Sequence, residues 1–280
     1  MSPKLNIVGA GHVGRVLGRL FYRHGVFDIQ DVLTRSEASA LDAVAFIGAG
    51  RALAGIQTAS DLRPAAVWML AVGDDQIEPV CAALAAAGLL GEATVFHCSG
   101  AKASSELRAA SRAGARVASI HPVRSFADPQ AVADAFAGTW CGVEGDEEAL
   151  ALLAPAFEAI GARLVTIDPA AKTVYHAASV FASNYLVTVL DAALRAYTAA
   201  GVPPEVAREL ARPLASETLA NVFRLGAPAA LSGPVARGDL ATVARQQAAL
   251  GDWDPATASL YAALVEATTA LAARKHRGEP

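Results

Sequence analysis

Residues 4–14 limit the chain more than any other stretch: Lys4-Leu5-Asn6-Ile7-Val8 runs straight into Gly9-Ala10-Gly11-His12-Val13-Gly14. The first five residues read as a short buried strand. From Arg15 to His24, Val16, Leu17, Leu20 and Phe21 share one helical face. Three glycines at this spacing, between a strand and a helix, form a dinucleotide fingerprint. Gly9 permits the tight turn, Gly11 lets the backbone approach a pyrophosphate, and Gly14 lets helix and strand pack closely. The free N–H groups of the helix start then face the phosphates, where the helix dipole favours negative charge. Gly9, Ala10, Gly11, His12, Val13 and Gly14 are therefore the expected cofactor-binding turn. The alternative is a glycine-rich turn that binds nothing.

The second strand, expected at Phe27 to Leu33 and closed by Thr34-Arg35-Ser36, bears on which nucleotide fits. An acid about 20 residues past the fingerprint would hold the ribose hydroxyls of NAD. Thr34 stands there instead, and Arg35 follows it. A planar guanidinium between two hydroxyls suits a ribose 2′-phosphate. NADP(H) is expected in preference to NAD(H), with Thr34, Arg35 and Ser36 as contacts. Asp31 is the rival acid, but Val32 and Leu33 continue the strand beyond it.

Further strands are expected within 52–56, 65–72, 93–98, 115–120, 139–143 and 163–167, alternating with helices near 36–46, 76–90, 104–113 and 147–160. That alternation predicts an α/β fold with a doubly wound, mainly parallel sheet of Rossmann type, whose ligands gather at the carboxyl ends of the strands. By that rule Val72, Gly73, Ser99, Gly100 and His121 face the same crevice as the glycine turn. Residues 1–168 form the expected first domain. Residues 169–280 read as helices only, near 170–200, 205–224 (with Pro213 as a possible kink), 239–250 and 255–274, and make an all-α second domain.

Composition excludes several classes. Apolar residues make up 54% and charged ones 18%, which argues against extensive disorder, and a net charge of −4 argues against nucleic acid as the partner. Cys81, Cys98 and Cys141 have neither metal-ligand nor disulfide-framework spacing, so no metal is expected. With the first strand beginning at residue 4, no signal peptide is expected. Ser179, Ser183, Asn184, Thr188 and Asp191 interrupt the longest apolar stretch, so no membrane span is expected. The expected location is the cytoplasm.

The helix from Ala170 carries the chemistry of the second half. At about 100° per residue, Lys172, His176, Ser179 and Ser183 fall near 0°, 40°, −20° and 20°, with Tyr175 and Asn184 near −60° and 120°. A polar stripe on an apolar helix belongs beside water, a partner or a wet cleft, and the cleft between the domains is the expected place. For hydride transfer to a carbonyl or imine, His176 is the candidate for the proton, since a histidine exchanges near neutrality. Lys172 and Asn184 would polarise or orient the acceptor, and His121 could touch substrate or nicotinamide. Tyr175, Ser179, Ser183 and Arg237 are the expected substrate-binding residues. Structural alternatives stand beside these: His176 and Asn184 could satisfy each other, and Asp239 sits where a helix cap belongs.

GAGHVG (9–14), LTRS (33–36), AVGDDQI (71–77), HCSGA (97–101), HPVRSFA (121–127), KTVYHAASVFASNY (172–185) and GPVARGD (233–239) together resemble the Rossmann-like family with a C-terminal domain of unknown function 2520. That family is related to the 6-phosphogluconate dehydrogenase, ketopantoate reductase and pyrroline-5-carboxylate reductase group. The resemblance implies an NADP-binding domain, a helical domain of 6-phosphogluconate dehydrogenase C-terminal type that forms a homodimer, and oxidoreductase activity on a small-molecule substrate. A non-catalytic NADP-binding sensor and a ketopantoate reductase-like enzyme are the alternative readings. The sequence departs from the β-hydroxyacid dehydrogenases, which place a lysine and an asparagine four residues apart on this helix. Here the residue four after Lys172 is His176.

Overall fold

Alternating apolar strands and helices build the first of two units, Met1–Ser183 and Asn184–Pro280. The computed structural model describes residues 2–55 and 61–277. Its strands are β1 (Lys4–Val8), β2 (Asp28–Thr34), β3 (Arg51–Ala54), β4 (Val67–Leu70), β5 (Thr94–His97), β6 (Arg116–Pro122), β7 (Trp140–Gly145) and β8 (Arg163–Thr166). Its helices are α1 (His12–Arg23), α2 (Glu37–Ile47), α3 (Ile77–Ala86), α4 (Arg108–Arg112), α5 (Pro129–Asp134), α6 (Glu147–Ala159) and α7 (Lys172–Val180). All eight expected strands are present. Ile56, at the end of the expected third strand, lies outside the described residues.

The strand order is β3-β2-β1-β4-β5-β6-β7-β8, and every pairing is parallel except β6 with β7. The antiparallel pair sets Ser119 opposite Glu144 and His121 opposite Gly142. Helices cover both faces. Leu17 and Phe21 of α1, Ile47 of α2 and Phe157 of α6 pack on one side, and Val80, Leu84 and Ala110 of α3 and α4 on the other. Edge-to-face contacts link Phe21 to Phe27 and Phe157, and Phe157 to Phe96, at 5.0–5.8 Å between ring centres. Each such pair adds about 0.5–1.5 kcal/mol to the area it buries.

Asp31 is fully buried in β2 and closes the outer strands. Its carboxylate accepts from Arg51 Nε at 3.0 Å, from the Arg63 guanidinium at 2.5 Å and from the Arg63 backbone N–H at 2.9 Å. Burial alone would raise its pKa, but the Arg63 and Arg51 hydrogen bonds outweigh it and hold the carboxyl below the usual range. Its oxygens are thus committed within the sheet.

The second unit comprises α8 (Leu186–Ala199), α9 (Pro204–Leu225), α10 (Ala227–Ala230), α11 (Leu240–Trp253) and α12 (Pro255–Arg277). The helices expected near 205–224, 239–250 and 255–274 are present as α9, α11 and α12, the one expected near 170–200 runs through α7, a π-helical segment and α8, and the short α10 is an addition. Asp239 caps α11 by accepting from the Thr242 N–H at 3.1 Å, as its position suggested. Arg195 of α8 reaches Asp191, Asp254 and Thr257, which ties α8 to the α11–α12 junction. One expectation needs correcting. Phe181–Tyr185 is a π-helical segment, so the 100° wheel drawn from Lys172 does not carry across Ser183 to Asn184.

The helices Pro169–Ala199 and Pro255–Arg277 are, by length and composition alone, apolar enough to cross a membrane, with mean hydropathies of 1.4 and 1.2. The interrupting polar residues therefore do not remove the first of them from that class.

Removing the Asp31 carboxylate should loosen the β2–β3 edge. Asp31→Ala is expected to lower unfolding stability by about 2–3 kcal/mol, the scale of hydrogen bonds to a charged group, as measured by urea denaturation. A change below 0.5 kcal/mol, on the order of an ordinary surface substitution, would contradict this role.

Candidate active site

The glycine turn has the geometry its residue types require. Gly9 adopts φ +83°, and a methyl group there would lie 2.6 Å from the Ala71 carbonyl oxygen. A methyl group on Gly14 would collide with the Gly9 carbonyl, so α1 packs tightly on the turn. Gly11 has open space where its side chain would be. Gly9 and Gly14 thus make the tight turn and the close helix–strand packing expected of them. The turn opens into a cavity of about 680 Å³ lined by Gly9, Ala10, Gly11, Thr34, Arg35, Val72 and Gly73, with Arg15, Ser39, Asp75 and Gln76 added.

Other members of the expected cofactor set serve the turn itself. The His12 Nδ1–H donates to the Phe126 carbonyl at 2.6 Å. Ser36 caps α2 by accepting from the Ser39 N–H at 3.3 Å, while Thr34 Oγ1 donates to the Ser36 carbonyl at 2.7 Å. Arg35 is exposed on the cavity wall.

A second cluster occupies the ends of β5, β6 and β7, three strands along the same sheet edge. Helix α7 crosses there with Lys172, Tyr175 and His176 on one face, the i, i+3, i+4 set of a helix. His176 lands on Gly100, in the turn after β5, and so does His121, at the end of β6. A methyl group on Gly100 would overlap His176 Nδ1 and lie 2.8 Å from His121 Nε2. The two imidazoles meet edge to face, 5.7 Å between centres. Tyr175 lands on Gly142 of β7, and its hydroxyl is 3.0 Å from His121 Nδ1. His176 Nδ1 is buried with no hydrogen-bond partner among the described residues.

Lys172 is only 2% exposed. Its ammonium donates to the Ser99 carbonyl at 3.1 Å and to Ser119 Oγ, and it pairs with Glu144 at 3.6 Å. Glu144, 4% exposed, also accepts from the Ser104 N–H and hydroxyl, each at 2.7 Å. His97 is fixed as the neutral Nε2–H tautomer, since its Nδ1 accepts from the Ser99 N–H at 3.2 Å and its Nε2 donates to the Ala103 carbonyl at 3.0 Å.

Burial governs the protonation of these groups. It lowers His97 to about 4 and Lys172 below the usual ammonium range, the latter opposed by Glu144. It also lowers His121 to about 4, helped by the charges of His176 and Lys172. Burial raises the Tyr175 phenol, and it holds Cys98 and Cys141 as thiols, Cys141 at about 12. Ser179 is half-buried on α7; Ser183, Asn184 and Arg237 are exposed, the last two in the second unit. Glu144, Ser104, Ser119 and His97 escaped the sequence reading. Only the antiparallel register of β7 brings Glu144 beside Ser119.

Residues 139–268, from the start of β7 into α12, match the family described as Domain of unknown function (DUF2520). Solved structures extend the likeness to the whole length. A Thermotoga maritima protein, TM1727, is 28% identical over 97% of this chain and 99% of its own, with a TM-score of 0.72. A Bacteroides fragilis protein at 21% identity covers 96% and 98%, with a TM-score of 0.78. The pyrroline carboxylate reductase of Plasmodium falciparum, solved with NADP bound, shares 12% identity over 96% and 98%, with a TM-score of 0.60. No curated protein matches the sequence. The fold, a Rossmann-type sheet followed by a helical region, is the one these structures share.

Two outcomes follow from this geometry. Gly9→Ala should cost about 2–4 kcal/mol, from its positive φ and the Ala71 overlap, whereas Gly11→Ala should change stability by less than about 1 kcal/mol. Equal losses in thermal denaturation would contradict the assignment of roles. Acid should destabilise the fold through His97 and His121. Their folded values near 4 lie below the unfolded value of about 6.5, so the unfolded chain binds more protons between the two. Stability is full above about pH 6.5 and falls towards pH 4, by up to about 1.4 kcal/mol per unit for His97 and less for the part-exposed His121. Denaturation at pH 7 and 5 should show His97→Gln roughly halving that slope; an unchanged slope would contradict it.

Proposed function

We propose that this chain is an NADP(H)-dependent reductase or dehydrogenase that moves a hydride to or from a small, anionic carbonyl or imine compound. One observation carries the reading: a nucleotide-sized cradle and two packed imidazoles share one sheet edge, and a buried ring nitrogen there lacks a partner among the described residues. Buried polar atoms are nearly always satisfied, so His176 Nδ1 is suited to meet a polar atom of a bound molecule. The open space at Gly11, beside the amino end of α1, fits a pyrophosphate. Bound NADPH would supply the hydride.

The chain's own groups would handle the rest. His176 exchanges the proton with the substrate heteroatom. His121, kept neutral and bonded to Tyr175, shapes the surface beside it. Ser99 and Gly100 form the floor under the reacting end, with Ser179 and Ser183 further along the helix. Preference for the phosphorylated nucleotide is supported by two facts. Arg35 stands exposed beside Thr34 on the cavity wall, and Asp31, the acid that would favour NAD, is consumed by Arg51 and Arg63. The pyrroline carboxylate reductase likeness supports the imine class. A second copy of the chain is the proposed partner of the helical unit, supported by Phe223 at 87% exposure and Leu214 at 60% on α9.

Binding and turnover test this together. NADPH should bind at least tenfold tighter than NADH, and Arg35→Ala should erase that preference, the scale expected for a charge-assisted phosphate contact. Gly11→Ala should weaken NADPH while leaving the fold intact. In NADPH oxidation with a panel of cyclic imines and 2-oxo acids, His176→Ala should lower kcat by about 10²–10⁴ without loss of nucleotide binding. Equal binding of NADH would overturn the cofactor preference. Tight NADPH binding with no oxidation across the panel would favour the sensor reading.

A further inference from the structure

Lys172 and Glu144 form a buried ion pair one helical turn before His176 and one strand row from His121, and neither head group is free for a ligand. Both side chains are nearly inaccessible, and the ammonium is taken up by the Ser99 carbonyl, Ser119 Oγ and the Glu144 carboxylate. Such a pair is costly to bury, and an apolar pair of similar volume is often as stable or more so. Its presence therefore calls for a role besides stability.

The register of the strands supplies one. Side chains two residues apart on a strand share a face, so Ser119 and His121 of β6 lie on one face. So do Glu144 and Gly142 of β7. Pairing sets Ser119 against Glu144 and His121 against Gly142, making two adjacent rows across the strand pair. Helix α7 addresses both rows: Lys172 enters the Ser119–Glu144 row, and Tyr175 enters the His121–Gly142 row. His176, one residue further, rests on Gly100.

The same ion pair also grips the turn that carries Gly100. Lys172 holds the Ser99 carbonyl, immediately before Gly100, and Glu144 holds Ser104 at the far end. One charged pair thus fixes both the helix bearing His176 and the turn on which His176 and His121 rest.

We propose that Lys172 and Glu144 are positioning residues: they set α7 and the 99–104 turn in register with β6 and β7, so that His121 and His176 meet over Gly100. This deepens the reading of the site as an oxidoreductase centre and rests on it for its catalytic meaning. Lys172 then acts through the imidazoles and does not touch the substrate.

The test replaces the pair with apolar residues of similar volume, Lys172→Met with Glu144→Leu, and reads the imidazole Cε1–H resonances of His121 and His176 by NMR in the nucleotide-free full chain. The double variant should melt within a few degrees of the unmodified protein, with NADPH affinity changed less than threefold. Both imidazole resonances should shift and lose the ring-current signature of their edge-to-face contact, and kcat should fall at least tenfold with any substrate that turns over. Should the double variant fail to fold, Ser119→Ala, which removes one Lys172 contact without leaving a charge unpaired, should move the same two resonances in a folded protein. Unmoved resonances in the folded variant would overturn the proposal. The NMR readout needs no substrate, so absence of turnover in the unmodified protein would count against the oxidoreductase reading alone.

Discussion

A helix laid across the ends of three strands is the constraint on which the site depends. The i, i+3, i+4 spacing of Lys172, Tyr175 and His176 gives α7 three side chains on one face, and each meets a different place on the sheet edge. The contacts are tight where they need to be. Gly100 and Gly142 have no side chains, which allows an imidazole and a phenol to approach the backbone closely. Neither glycine lies at a positive φ, so their value is the space they leave and not a special turn. A small side chain at either would separate α7 from the strands.

The glycine turn and this helix use different physics for a common end. The turn offers backbone N–H groups and a positive helix end, suited to a charged and flexible phosphate group. The helix offers buried, mutually fixed rings, suited to a reacting centre that must exclude water. Adjacent parallel strands β1, β4 and β5, followed by β6, place both kinds of surface along one carboxyl edge. The antiparallel strand β7 departs from that pattern and supplies Glu144 and Gly142 to the second surface.

Much of this arrangement was legible from residue order because it is local. Gly9 and Gly14 announce their structural roles through spacing, Asp239 its cap through its place before a helix, and the strands through short apolar runs. The polar face of α7 could also be read, as far as Val180. What could not be read is non-local. Nothing in the neighbourhood of Glu144 shows that β7 reverses direction, and so nothing marks it as the partner of Lys172. The ammonium of Lys172 looked available to substrate because its three acceptors lie 28 to 73 positions away in sequence. The π-helical segment at Phe181–Tyr185 escaped for another reason: a sequence pattern is read at a constant 100° per residue, and the extra residue of such a turn leaves no compositional mark. Asp31 shows the reverse case, where strand continuation correctly removed an acid from consideration and the structure supplied its two arginines.

The central claim is that a phosphorylated nicotinamide nucleotide lies along this edge, from the glycine turn to the paired imidazoles. The most direct measurement is a titration of isotope-labelled protein with NADPH, followed by amide and imidazole NMR shifts. The account predicts saturable changes at the Ala10–Gly14 amides, at the Arg35 guanidinium and at the His121 and His176 rings, all at one dissociation constant. Saturating NADPH that leaves the Ala10–Gly14 amides unmoved, or that moves them while both rings stay unchanged, would contradict it.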